Sequence, residues 1–111
     1  MDVMLSRLKA LIDPRRLKIL AVLQQKDLCV ESLAKCLEIS QSAVSQHLRI
    51  LREAGLVEGE KRGYYTHYHV QEEVLKETAD RLTNLSGLFP IEEGCGCPDH
   101  STAEHDCCCR N

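Results

Sequence analysis

The sequence predicts a mainly α-helical, homodimeric chain with one β-hairpin, a winged helix-turn-helix. Three observations carry that expectation. Two short helical segments, 30–37 and one beginning near residue 41, meet across the tight turn Glu38-Ile39-Ser40. The second has a single apolar stripe and an otherwise polar surface, as a helix has when one face meets a core and the other a groove. Directly after it, strand-forming residues flank Arg62-Gly63, which reads as a hairpin.

Taken in order, Val3, Met4, Leu8 and Leu11 have helical spacing, and Asp13-Pro14 ends that helix and starts another. Asp suits an N-cap because its carboxylate accepts from the first free amides, and Pro suits the first turn because its missing N–H has no partner there anyway. The second helix runs to about Gln25, with Leu17, Leu20, Ala21 and Leu23 expected inward; the third, Val30 to Leu37, has Leu33, Ala34 and Leu37 inward. Ser40 or Ser42 caps the fourth, in which Val44, Leu48 and Leu51 recur at i, i+4, i+7 before Ala54-Gly55 stops it. The strands are expected at Leu56–Lys61 and Tyr64–Val70, with Tyr64, Thr66, Tyr68 and Val70 sharing a face. A last helix from Gln71 to about Gly87 carries Val74, Leu75, Thr78, Leu82 and Leu85, more apolar surface than one small core needs. It is expected to meet the first helix and its own copy in a partner subunit.

At 111 residues the chain is sized for one domain with a modest core. Residues 1–90 are expected to form the DNA-binding and dimerisation domain, and 91–111 a flexible Cys-rich tail that binds an inducer. The net charge of -3 is unevenly distributed. From Ile91 onward five acids face a single Arg110, whereas the residues before it carry thirteen Lys and Arg against twelve Asp and Glu. A near-neutral body with local basic clusters still suits DNA, since only the face on the phosphates needs positive charge. No run of about 18 apolar residues is present, so no membrane partner is expected. The first twenty residues lack the pattern of a signal peptide, and a cytoplasmic location is expected. Seven cysteines in a reducing compartment argue against a disulfide framework and for metal, metalloid or redox chemistry. There is no nucleophile–base arrangement, phosphate loop or dinucleotide glycine pattern, so an enzyme is not expected.

If Val44, Leu48 and Leu51 face the core, Gln41, Ser42, Ser45, Gln46 and Arg49 fall on the outer face, with Arg52 on the flank. Gln and Arg can read purine edges bidentately and Ser can donate to phosphate or base. Lys61 and Arg62, at the hairpin tip, are expected on phosphates or in the minor groove. His47, beside the apolar stripe, is expected to be packed and hydrogen-bonded, and Cys36 to be a small buried hydrophobe.

The stretches DPRRLKILAVL, CVESLA and SQSAVSQHLRILREAGLVEGEKRGYYTHYHV closely resemble the ArsR/SmtB family of metal-responsive winged helix-turn-helix repressors. The resemblance covers roughly residues 5–87. It implies a homodimer that binds operator DNA when free and releases it when a metal or metalloid binds. It also implies where an inducer site can lie. A thiolate pair in the third helix is reduced here to Cys29-Val30-Glu31, and Cys36 lies roughly 10 Å further along the helix. A zinc site on the last helix is not expected, because the matching stretch has Glu72 and Glu73 followed by Val74, and leucines where the second ligand pair would fall. His67 and Tyr68 match a pair common in the second wing strand and are expected to be structural. Some arsenic-responsive relatives carry their sensing cysteines beyond the last helix, where this chain has GCGCPDHSTAEHDCCCRN.

In that tail Cys95 and Cys97, then Cys107, Cys108 and Cys109, are the expected ligands, nine residues apart and able to close a loop at modest entropic cost. Soft thiolates select soft acceptors; As(III), which takes three thiolates, is the favoured inducer, with Zn(II), Cd(II) or Cu(I) as alternatives given His100 and His105. A thiol-redox switch on the same DNA-binding frame is a second expectation that sequence leaves open.

Overall fold

The computed structural model describes residues 2–88. Its elements are α1 (Asp2–Leu11), α2 (Pro14–Gln25), β1 (Leu28–Cys29), α3 (Val30–Leu37), α4 (Gln41–Glu53), β2 (Val57–Arg62), β3 (Tyr65–Val70) and α5 (Glu72–Thr83), followed by one 3-10 turn at Leu85–Gly87. The expected tail, with Cys95, Cys97, Cys107, Cys108 and Cys109, lies outside the described residues. Among the described residues no helix is long and apolar enough to cross a membrane.

The helix boundaries follow from local chemistry. Asp13 caps α2, its carboxylate accepting from the amides of Arg15 at 2.8 Å and Arg16 at 3.3 Å, with Pro14 in the first turn. Burial of the Asp13 carboxyl disfavours its charge, but those amides and the nearby Arg16 outweigh that and hold its pKa below the ordinary value. Ser40, not Ser42, caps α4 by accepting from Ala43 at 3.0 Å. Gly55, at φ +81°, supplies the left-handed residue that lets Leu56 N–H reach back to Leu51. The turn between α3 and α4 also needs a left-handed residue, and there it is Glu38 at φ 57°.

The core is where the helix-turn-helix meets the base of the hairpin: Ile19, Leu20 and Leu23 of α2, Leu33 and Ala34 of α3, Val44, Leu48 and Leu51 of α4, then Leu56, Val57 and Val70. Ile19, Leu33, Val44, Leu51 and Leu56 are fully enclosed. Two expected inward positions on α2 are corrected, since Leu17 is half exposed and Ala21 exposed. The buried face turns instead through Ile19, Leu20 and Leu23, because α2 packs against α3, α4 and β3 on that side.

The hairpin differs in detail from expectation. β2 extends through Arg62, the turn is Gly63-Tyr64, and β3 begins at Tyr65, with register Val57↔Val70 through Arg62↔Tyr65. Glycine at the first central position, at φ +67°, is what a two-residue turn of the II′ kind requires. Tyr64 therefore leaves the strand and is 98% exposed, while Thr66, Tyr68 and Val70 keep their shared face partly or fully buried. Gly59 is required for a different reason: a Cβ there would lie 2.8 Å from Thr66 Cγ2 and 3.0 Å from Tyr68 Cε1. A third strand, β1, pairs antiparallel with β3 through Leu28↔Tyr68 and Cys29↔His67, giving the sheet order β1-β3-β2. The wing is thus joined to the body along one edge.

The last helix is shorter than expected, ending at Thr83 before the 3-10 turn. Val74 and Leu75 pack on the core and Thr78 is buried, its hydroxyl donating to the Val74 carbonyl at 2.9 Å. Leu82 and Leu85 remain 41% and 54% exposed, and Val3 and Leu5 of α1 are exposed as well. Arg7 of α1 and Glu77 of α5 join the two helices by an ion pair of 2.7 Å, which holds the Glu77 pKa below the ordinary value.

Candidate nucleic-acid interface

Helix α4 owes its exposed face to its sequence. With Val44, Leu48 and Leu51 buried, Gln41, Ser42, Ser45, Gln46, Arg49 and Arg52 are all exposed along the opposite side. Their functional groups fit DNA: two amides, two hydroxyls and two guanidiniums on one helical face. Arg49 makes an exposed i,i+4 pair with Glu53 at 3.3 Å, a contact that a competing phosphate or base edge can replace at little cost.

His47 sits at the boundary between this face and the core, half-buried. Its Nδ1 is 3.3 Å from Nη1 of Arg16, as expected of a packed, hydrogen-bonded histidine. Arg16 also donates through Nε to the Ala10 carbonyl at 2.7 Å, satisfying the C-terminal end of α1. One guanidinium therefore links the end of α1 to α4.

At the wing, Lys61 and Arg62 are both exposed. Arg62 is not free in this conformation. Its Nη2 lies 2.8 Å from both Asp27 Oδ2 and Glu60 Oε1, and its Nε donates to Glu60 at 2.9 Å. Glu60 and then Asp27 raise the Arg62 pKa further, so the guanidinium stays charged. Sequence reasoning missed this pairing because Asp27 and Arg62 are far apart in the chain and only the three-stranded sheet brings them together.

The thiols divide differently from expectation. Cys36 is exposed, because Leu33 and Ala34 take the inward side of α3. Cys29 is buried at the N-cap of α3, with Sγ 3.4 Å from Ser32 Oγ. The Ser32 hydroxyl and the amides of Ser32 and Glu31 lower its pKa against the opposing effect of burial. Its cross-strand neighbour His67 has a buried Nδ1 with no partner among the described residues. Among the described residues no group of three or more His, Cys, Asp or Glu is arranged to hold a metal ion.

A capped helix with a polar outer face, seated on a helix-turn-helix core beside a hairpin with basic residues near its tip, defines the winged helix-turn-helix class of DNA-binding regulators. Residues 13–59 match the family described as "Bacterial regulatory protein, arsR family". The chain is 35% identical over 104 residues, 93% of its own length and 88% of the relative's, to the arsenical resistance operon repressor of Bacillus subtilis strain 168. It is 39% identical over 77 residues to the transcriptional repressor SmtB homolog of Synechocystis sp. PCC 6803, spanning 58% of that protein's length. In three dimensions it resembles the homodimeric winged helix-turn-helix DNA-binding domain of Mb0332 from Mycobacterium bovis, described as a possible ArsR-family regulator. That likeness has a TM-score of 0.66 and 30% identity, over 78% of this chain and 82% of that one. The chain belongs to the ArsR/SmtB family of winged helix-turn-helix transcriptional regulators, which are DNA-binding proteins and not enzymes.

Proposed function

We propose that the protein is a homodimeric repressor that binds operator DNA in its ion-free form and releases it when a soft metal or metalloid ion, As(III) foremost, binds thiolates of the tail. The observation that carries the DNA half is the exposed polar face of α4, with Gln41, Ser42, Ser45, Gln46, Arg49 and Arg52 reading the major groove while Lys61 and Arg62 meet the backbone. Dimerisation through α1 and α5 accounts for the exposed Leu82 and Leu85, and the homodimeric state of the Mycobacterium bovis neighbour supports it.

The inducer half rests on donor chemistry. The described residues offer no preformed metal group, whereas Cys95, Cys97, Cys107, Cys108 and Cys109 give five soft donors within fifteen positions. That set suits As(III), and also Cd(II), Zn(II) or Cu(I). The B. subtilis relative's name, an arsenical resistance operon repressor, supports the first. The ion can weaken DNA binding only through its preference for a dimer arrangement that fits DNA poorly, and by linkage DNA must weaken ion binding equally. A second reading, a thiol-redox switch, uses the same tail cysteines, which form disulfides under oxidation instead of binding an ion.

Deleting residues 94–111 separates these readings. The truncated dimer is expected to bind operator as before and to ignore As(III), Cd(II), Zn(II) and Cu(I) under anaerobic reducing conditions. Full As(III) sensitivity without the tail would move the sensor elsewhere. A response to peroxide alone, present in the full-length protein and lost on truncation, would favour the redox switch.

A further inference from the structure

The ion pairs of Arg62 cross the sheet. Arg62 ends β2, Glu60 lies two residues earlier on the same strand, and Asp27 belongs to the link between α2 and β1. In the order β1-β3-β2, β3 lies between the strand that carries Arg62 and the chain that carries Asp27. The contact to Asp27 therefore spans the width of the wing and fastens its outer strand to the body. The side chains of Arg62, Asp27 and Glu60 are 48%, 31% and 59% exposed, so the grouping is open to a competing anion.

We propose that Asp27 and Glu60 gate the wing arginine: they occupy Arg62 in the DNA-free protein and yield it to a phosphate when the wing reaches a duplex. This rests on the DNA-binding reading above and adds to it a built-in brake. Part-exposed ion pairs are individually weak, whereas a duplex presents closely spaced phosphates, so the exchange favours DNA while its cost lowers affinity. Because the brake acts through a phosphate contact, it acts on all sequences alike, and Asp27 tunes overall affinity without touching the duplex or altering base preference.

Asp27 is the residue to change, because Glu60 lies on the wing itself, where its own charge faces any bound duplex. The test compares four proteins, wild type, Asp27→Asn, Arg62→Gln and the double variant, each checked for an unchanged melting temperature. Binding to a labelled mixed-sequence duplex is measured at low salt. Asp27→Asn is expected to tighten binding about two- to fivefold in the wild-type background, the scale of one part-exposed ion pair. In the Arg62→Gln background it should have no effect. An equal gain in both backgrounds would show only that a negative charge had been removed near DNA, and would overturn the gate. Weaker binding by Asp27→Asn would overturn it in the other direction, making the contact a brace that positions the wing. If wild-type protein binds no duplex at all, the DNA-binding reading fails and the gate falls with it.

Discussion

Nη1 of Arg16 lies 3.3 Å from Nδ1 of His47, which ties the start of α2 to α4. A guanidinium only donates, so Nδ1 is the acceptor in this contact. The same side chain holds the Ala10 carbonyl at 2.7 Å, so its loss strands two partly buried acceptors together.

Arg16→Ala is therefore expected to destabilise the fold by about 1–3 kcal/mol, the cost of leaving such groups unpaired. Arg16→Lys should recover only part of it, because an ammonium cannot reach two acceptors with a planar fork. Urea unfolding of the three proteins checks the order.

Arg49→Ala is expected to behave in the opposite way. Its side chain is 73% exposed and its pair with Glu53 is a surface contact, so stability should hardly change. Operator affinity should fall by roughly 1–3 kcal/mol with relaxed base preference if the contact is bidentate. Binding titrations against the operator and single-base variants, beside a melting curve, separate the two effects; full affinity in the variant would remove Arg49 from the interface.

Leu82 at the end of α5 and Leu85 in the 3-10 turn stand exposed, and nothing among the described residues covers them. Replacing both with Glu should convert a dimer to a monomer in sedimentation and collapse operator affinity while α4 stays intact. A monomeric wild type would contradict the assignment of this face.

Acid should act on the α2 cap. Asp13 has a folded-state pKa below its unfolded value, so its charged form stabilises the fold above the unfolded pKa. That contribution is lost as pH falls through the folded pKa. Melting temperatures of wild type and Asp13→Asn should differ at neutral pH and converge in acid; a gap independent of pH would show that the charge plays no part.

Much of this architecture was legible because it is locally encoded. Asp13-Pro14, Ser40 and Gly55 mark helix ends through groups within a few residues, and Val44, Leu48 and Leu51 mark a face by spacing alone. What escaped was set at a distance. β1 is only Leu28 and Cys29, defined by its pairing with β3 and by nothing in its own composition. Cys36 is exposed and Leu17 half exposed because the apolar residues of α3 and α2 outnumber the positions facing the core, and tertiary contacts choose among them. The turn slipped by one residue because glycine at the first central position, rather than the second, sets its geometry, which moved Tyr64 to the tip. On α4 every expected reading residue is exposed, since one buried stripe dictates the rest of that helix.

The wing also answers a hazard of its own. β2 is an outer strand, and among the described residues nothing pairs with its far edge. A bare strand edge is a template on which another chain can add and grow into an aggregate. Here the strand reads Val-Glu-Gly-Glu-Lys-Arg, with its one large apolar side chain, Val57, buried at the base. Two acids, Glu58 and Glu60, followed by two bases, Lys61 and Arg62, make that edge a poor surface for β-augmentation by a neighbouring copy. The charges that hold Arg62 in its ion pairs thus also guard the wing against polymerising.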